Sequence, residues 1–389
     1  MKLSQKMSRL GTETAFRVLA KAQALEAKGI DVIHLEIGEP DFDTPPNICQ
    51  AATKALDEGQ THYCNSQGIV PLRVEIAKQI EGTRGVAVDP NHVVVTPGAK
   101  PIMFYSILAL LEEGDEAIYP NPLFPIYESM INFSGAKAVP IPLKEELDFR
   151  LDVDELKSKI TPRTRLIILN SPHNPTGGML EERDIRAIAA LAQEHDIIVL
   201  SDEIYENIYY DEKPLSIASL PGMLDRTILL SGFSKTYAMT GWRLGYAVLP
   251  PELVSAVVGL IVNSVSCTSV FSQYAGIEAL TGPQDSVPKM VEEFKKRRDL
   301  IVDGLNAIPG ISCHKPRGAF YVFPNVKKLG MDCQQLADYL LNEAGVATLA
   351  GTDFGKYGEG YLRLSYATSQ ENLEKALERI EKATAKFAR

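Results

Sequence analysis

The sequence predicts an α/β protein: a large domain with a mostly parallel seven-stranded sheet flanked by helices, plus a smaller α+β domain from the two chain ends. Two observations carry this expectation. Short, almost wholly apolar runs alternate with amphipathic segments between about residues 90 and 250. After about residue 285 the pattern changes to a long charged helix followed by short strands. Strands that are apolar throughout, rather than at every second residue, suit a sheet covered on both faces. Strand–helix alternation of this kind is the α/β pattern.

The candidate strands of the large domain are VVVTPG (93–98), EAIYPNP (116–122), AKAVPIPL (136–143), RLIILNSP (165–172), IIVLSDEIY (197–205), TILLSGFS (227–234) and GYAVLP (245–250). Segments such as PIMFYSILALLEE and EERDIRAIAALAQEHD lie between them and read as helices. Beyond them, a helix over about 288–307 leads to strand-like GAFYVFPNV, helix CQQLADYLLNEAG, strands VATLAG and YLRLSYA, and a final helix ENLEKALERIEKATAKF. The expected division is 1–45 as an N-terminal segment packed on the small domain, 46–285 as the large domain and 286–389 as the small one. There are no repeats and no low-complexity stretch.

Composition narrows the function. The 389 residues carry a net charge of -10, which argues against nucleic-acid or anionic-membrane binding. The basic run Lys295-Lys296-Arg297-Arg298 lies in a Glu-rich helical pattern and reads as a solvated helix face. The five cysteines are scattered, without a C-x-x-C pair, as expected of reduced thiols in a cytoplasmic protein and not of a disulfide framework or a metal site. The N-terminus has no secretory h-region, and no apolar run is long enough to span a bilayer.

In mostly parallel sheets ligands gather at the carboxyl ends of the strands. Polar residues cluster there: Asn170 to Thr176, Asp202 to Tyr205, and Ser231 to Lys235. Lys235 follows an apolar strand and the small residues Gly232 and Ser234, which leave room for a planar ring. Ser231 offers a hydroxyl and Arg243 a charge for a phosphate. On local grounds alone Lys235 reads equally well as a surface lysine. Asp202 ends an apolar strand and needs a partner, unless it is a turn or cap residue. Asn174, in Asn-Pro-Thr-Gly, reads locally as a turn residue. Gly98-Ala99-Lys100 joins a strand to a helix N-terminus, where backbone N–H groups bind anions. Strand alternation puts Arg363 on one face with Tyr361 and Ser365, opposite Leu362, Leu364 and Tyr366. Such an arginine needs a carboxylate, from a ligand or from a local Glu. No G-x-G-x-x-G follows a strand and no G-x-x-x-x-G-K-[ST] occurs, so neither nucleotide-binding signature is present.

The segment Gly232 to Gly245 resembles the lysine-site pattern of the class I aminotransferases, pyridoxal-phosphate enzymes of fold type I. Gly38-Glu-Pro-Asp-Phe42, Asn174-Pro-Thr-Gly177, Ser201-Asp-Glu-Ile-Tyr205 and Tyr361-Leu-Arg-Leu-Ser365 match in the same order, so the resemblance spans about residues 10 to 385. It implies an aminotransferase that moves an amino group from an L-amino acid to a 2-oxo acid by a ping-pong mechanism, 2-oxoglutarate being the expected acceptor. Lys235 would hold the cofactor as a Schiff base and transfer the proton, and Asp202 would pair with the pyridine nitrogen. Tyr205 and Asn174 would donate to the phenolic oxygen, and Phe124 would stack on the ring where relatives use Trp or Tyr. Ala99, Lys100, Ser231 and Arg243 would hold the phosphate, with Tyr63 reaching across a homodimer with shared active sites. Gly38 and Arg363 would take the substrate α-carboxylate, beside Phe124 and Asn174. No metal is expected. A C–S β-lyase on the same scaffold is the second reading, and a non-catalytic cofactor-binding regulator the third. Arg17 is the only arginine in the stretches expected to form the side-chain pocket, which tilts the expected donor toward apolar or aromatic amino acids.

Overall fold

The computed structural model describes residues 3–387. After a two-residue strand β1 (Ile33–His34) come the strands of the main sheet: β2 (Val93–Thr96), β3 (Glu116–Asn121), β4 (Lys137–Pro142), β5 (Thr164–Asn170), β6 (Ile198–Asp202), β7 (Thr227–Gly232) and β8 (Gly245–Val248). They correspond to the seven apolar runs. Their spatial order is β2-β8-β7-β6-β5-β3-β4, parallel except where β8 meets β2 and β7.

Strand β5 shows why these runs lack polar alternation. Leu166 and Ile168 enter one apolar layer with Val94, Leu200 and Leu230, whereas Ile167 and Leu169 enter the opposite layer with Ile118 and Val199. Successive side chains point to opposite faces, and helices cover both. One such helix, Glu182–Glu194, starts at a capping box between Glu181 and Asp184 and buries Ile185, Ile188 and Ala192 against the sheet. Each isoleucine so buried contributes roughly 1.5–3 kcal/mol.

The helix Lys100–Leu110 starts directly after β2, with Pro101 in its first turn. Gly98 turns the chain into it with φ +84°. A Cβ at Gly245 would lie 2.5 Å from the backbone nitrogen of Ala99, so the helix N-terminus sits hard against the start of β8.

The C-terminal part contains β9 (Tyr321–Val322), β10 (Val346–Ala347), β11 (Leu349–Ala350) and β12 (Leu362–Ser365). Strands β11-β12-β9 form an antiparallel sheet, and β1 pairs in parallel with β10. The expected single strand VATLAG is therefore two strands. Its first half pairs with the N-terminal segment and its second half with β12, so the ladder breaks at Thr348. The expected helix CQQLADYLLNEAG also changes character, from an α-helix over Cys333–Tyr339 to a π-turn over Leu340–Ala344 that ends at Gly345 with φ +62°. Among the described residues no helix is long and apolar enough to cross a membrane.

Candidate active site

The parallel strands β5, β6 and β7 end on the same edge of the sheet. Asn170 and Asp202, the last residues of β5 and β6, are register partners, and Lys235 and Arg243 lie in the turn between β7 and β8. A cavity of about 760 Å³ opens there, with Lys235, Asp202, Asn174, Tyr205, Arg243 and Arg363 in its wall. A neighbouring cavity of about 690 Å³ shares Glu39, Thr240, Gly241 and Arg243 with it.

Asp202 is buried. One carboxylate oxygen accepts from Tyr127 at 2.8 Å and the other from the backbone N–H of Ile204 at 3.2 Å. Burial raises its carboxyl to about 6, against the pull of those two donors. No cation bonds it. Asn170 braces the same corner, donating to the Asp202 carbonyl at 3.1 Å and accepting from the Asn174 backbone at 2.8 Å. The Asn174 side-chain oxygen is buried without a partner. The Tyr205 hydroxyl lies 2.7 Å from that of Tyr321.

Lys235 is enclosed except toward the cavity, and its Nζ donates to the Gly38 carbonyl. Burial lowers its ammonium to about 8, and the fields of Glu39 and Glu13 oppose that fall. Gly38 is constrained in turn, because a Cβ there would overlap the Tyr321 hydroxyl.

The anion cradle forms where Gly98, Ala99 and Lys100 begin the helix. Arg243 adopts φ +52° and donates to the Thr240 carbonyl at 2.9 Å. A side chain at Gly98 would collide with its guanidinium. A non-glycine residue in this region costs of order 1–3 kcal/mol, which surrounding structure must over-determine. The Lys100 ammonium lies 2.6 Å from Glu13 and 5.2 Å from the ring centre of Phe124, which also lines the cavity.

Arg363 is buried in β12, donates to the Glu36 carbonyl, and sits 4.6 Å over the Tyr321 ring and 5.1 Å over that of Phe354. Its Nε has no partner. A guanidinium stripped of water and left partly unpaired is set up for an incoming carboxylate.

Two expected site residues lie elsewhere. Ser231 is corrected: its hydroxyl donates to Glu206 at 3.0 Å, and it does not line the cavity. Its side chain follows Leu229 onto the sheet face away from the cradle, while the hydroxyl-bearing residue in the cavity wall is Ser234. Tyr63 is 88% exposed and stands outside the cavity within a single chain. Sequence reasoning also passed over Tyr127 and Tyr321, which bond the site's carboxylate and phenol. Tyr127 lies three residues after Phe124, one helical turn on, and Tyr321 sits within the strand GAFYVFPNV. Among the described residues no cluster of three or more His, Cys, Asp or Glu could hold a metal.

A half-buried lysine and a buried carboxylate facing one cavity, with a helix N-terminus and a half-free arginine beside them, suit chemistry on an amino acid. A family model for aminotransferase class I and II matches residues 30–380, and the chain belongs to that family, whose members depend on pyridoxal phosphate. It is a transaminase of fold type I, moving an amino group from an L-amino acid to a 2-oxo acid. An aspartate aminotransferase of Pyrococcus abyssi is 45% identical over 90% of this chain and 91% of its own. The aromatic-amino-acid aminotransferase 2 of Thermococcus litoralis is 41% identical over 98% of both. Among solved structures, Thermus thermophilus aspartate aminotransferase with maleate superposes with a TM-score of 0.95 at 38% identity, covering 98% of this chain and 100% of that one.

Proposed function

We propose that the cavity binds pyridoxal 5'-phosphate on Lys235 and that the Lys235 amine carries the substrate's α-proton. The observation behind this reading is the pairing of Lys235, lowered to about 8, with a buried Asp202 that no cation bonds. When bound, the cofactor supplies an aldehyde carbon for amines and a ring that accepts the electron pair released at the substrate α-carbon.

Every other role belongs to the chain. Asp202 pairs with a protonated ring nitrogen, and the amide N–H of Asn174 and the Tyr205 hydroxyl donate to the phenolic oxygen. Ala99, Lys100 and Arg243 form the phosphate cradle, and Phe124 offers a ring face. Arg363 grips the substrate α-carboxylate with Gly38 on the opposite wall. The Lys235 amine, near its ionisation point close to neutral pH, takes the α-proton and returns it. Its approach to the Gly38 carbonyl keeps it at that wall.

Phe16, Leu19, Met103 and Phe124 give the cavity an apolar side suited to aromatic and aliphatic donors, and Lys100 offers a second cation to a dicarboxylate such as 2-oxoglutarate. Arg17, the candidate from sequence, is exposed and does not line the cavity. The exposed Tyr63 is read as a phosphate ligand given to a second copy in a homodimer. The same reading divides the chain at about 45 and 285 and places the enzyme in the cytoplasm.

Visible spectroscopy tests the core of this reading. Protein incubated with pyridoxal phosphate should gain an absorption band that an amino donor alone then shifts, and Lys235→Ala should show neither change with its circular dichroism intact. A wild-type-like response from Lys235→Ala would remove Lys235 from the mechanism.

A further inference from the structure

The chemistry described above leaves one ionisable cluster in the cavity wall unused. His34 lies in β1 with Nδ1 2.8 Å from a Glu36 oxygen and Nε2 3.2 Å from Glu26, the last residue of helix α1 (Ala15–Glu26). A neutral imidazole has one N–H, so a ring with carboxylates on both nitrogens is satisfied as the imidazolium. Glu36 is fully buried, and its other oxygen has no partner among the described residues. The backbone carbonyl of this same Glu36 accepts from Arg363. The chain continues through Ile37 to Gly38, whose carbonyl accepts from Lys235. Opposite it, Phe16, Leu19, Gln23 and Glu26 form a helical stripe that lines the cavity together with His34.

We propose that His34 is a positioning residue for substrate binding: by bridging Glu36 and Glu26 it holds the cavity face of α1 against β1 and offsets the buried carboxylate of Glu36, the residue whose backbone carbonyl accepts from Arg363. The proposal rests on the reading of Arg363 as the α-carboxylate clamp. Without the imidazolium, Glu36 is a buried carboxylate without a counter-charge, on the residue Arg363 already touches. At low dielectric that unbalanced negative charge acts against the substrate carboxylate arriving at the neighbouring guanidinium. The bridge also ties the end of α1 to β1. The other ion pair on this helix, Lys21 with Asp338, is solvent-exposed and of the kind that contributes little.

The groups facing His34 are few. Helix α1 presents Glu26 and the segment after β1 presents Glu36, while Val346 and Ala347 of the paired β10 carry no charge. From β12 the charged group is Arg363, which meets the Glu36 carbonyl. The Glu36 hydrogen bond, with help from Glu26 and against partial burial, raises the imidazole to about 9. The bridge is therefore charged at neutral pH and is lost as pH rises through about 9.

The test is KM for 2-oxoglutarate, which has no amino group titrating in this range, measured on the holoenzyme between pH 7.5 and 10. Wild-type KM should rise about threefold to thirtyfold across pH 9 relative to His34→Gln, which keeps the titration of Lys235 but lacks the bridge. His34→Gln should start with the raised KM and show no step at pH 9, and Glu26→Gln, at a helix end, should fall between the two. A wild-type KM that stays level to pH 10, or variants that keep the wild-type value and slope, would overturn the bridge. If His34→Gln does not fold, the wild-type profile and Glu26→Gln decide by the same criteria. Arg363→Gln separates the two ideas. A raised KM there with His34→Gln unchanged rejects the bridge alone, whereas an unmoved KM in Arg363→Gln rejects the clamp beneath it.

Discussion

The two edges of the main sheet carry the same residue types in opposite conditions. At the amino edge, Glu116 begins β3 and accepts from Thr161 at 2.7 Å, Arg163 at 3.0 Å and Lys137 at 3.1 Å. Those donors hold its carboxyl below the usual range against the cost of burial, and both cations reach into solvent. At the carboxyl edge no cation bonds Asp202 among the described residues, Asn174 has an oxygen without a partner there, and Lys235 is lowered; these border the large cavity together with Arg363 of β12, whose Nε has no partner among the described residues. A buried acid with both oxygens bonded and two cations beside it supports the fold. A buried acid raised by burial beside unpartnered polar atoms and open space is held ready for a ligand, and the protein tolerates its cost for that reason.

The sharpest way to break this contrast is to exchange one lysine at each edge. Lys235→Ala should lower kcat by roughly 10² to 10⁴-fold. Lys137→Ala should leave kcat within about twofold, as for a surface substitution. Similar losses from both would erase the distinction between the edges. The arginines come next: Arg363→Gln should raise KM for amino acid and 2-oxo acid about 10- to 100-fold through loss of a charged hydrogen bond. Arg163→Gln should change no kinetic constant and cost under about 1 kcal/mol of stability.

The carboxylates predict pH dependences of opposite sign for cofactor-free protein. The folded value of Asp202, about 6, lies above the unfolded value of about 3.9. Its contribution is therefore most favourable below about pH 4 and falls as pH rises to 6, by about 2–3 kcal/mol in all. Glu116 is shifted downward, so its contribution is present above its unfolded value and is lost as the protein is acidified. Urea titrations at pH 4, 5 and 6.5 should show Asp202→Asn gaining on wild type as pH rises. Glu116→Gln should instead lose relative stability over the same steps, by the smallest margin of the set. A pH-independent difference for Asp202→Asn would mean that its carboxyl is not raised in the folded protein.

Much of this was legible before folding. The strands of the main sheet are readable because both faces are covered, which makes nearly every position apolar, as Leu166 to Leu169 show. Lys235, Asp202, Asn174, Arg243 and Arg363 are readable because each sits at a strand end or turn within a local pattern. Ser231 was misplaced because the phase of side-chain alternation at a strand end depends on register, here the pairing of Ser231 with Tyr246. VATLAG was read as one strand because its two halves find partners more than 300 residues and about a dozen residues away.

Local chemistry thus settles which segments become strands and which residues bear reactive groups, since hydrophobic period and turn propensity act over a few neighbours. The environment of those groups is a matter of distant contacts. Tyr127 reaches Asp202 across 75 residues, Tyr321 reaches Tyr205 across 116, and Glu36 reaches Arg363 across 327. Only folding removes the water around them, and that removal raises Asp202, lowers Lys235 and leaves Arg363 with a free edge for a carboxylate.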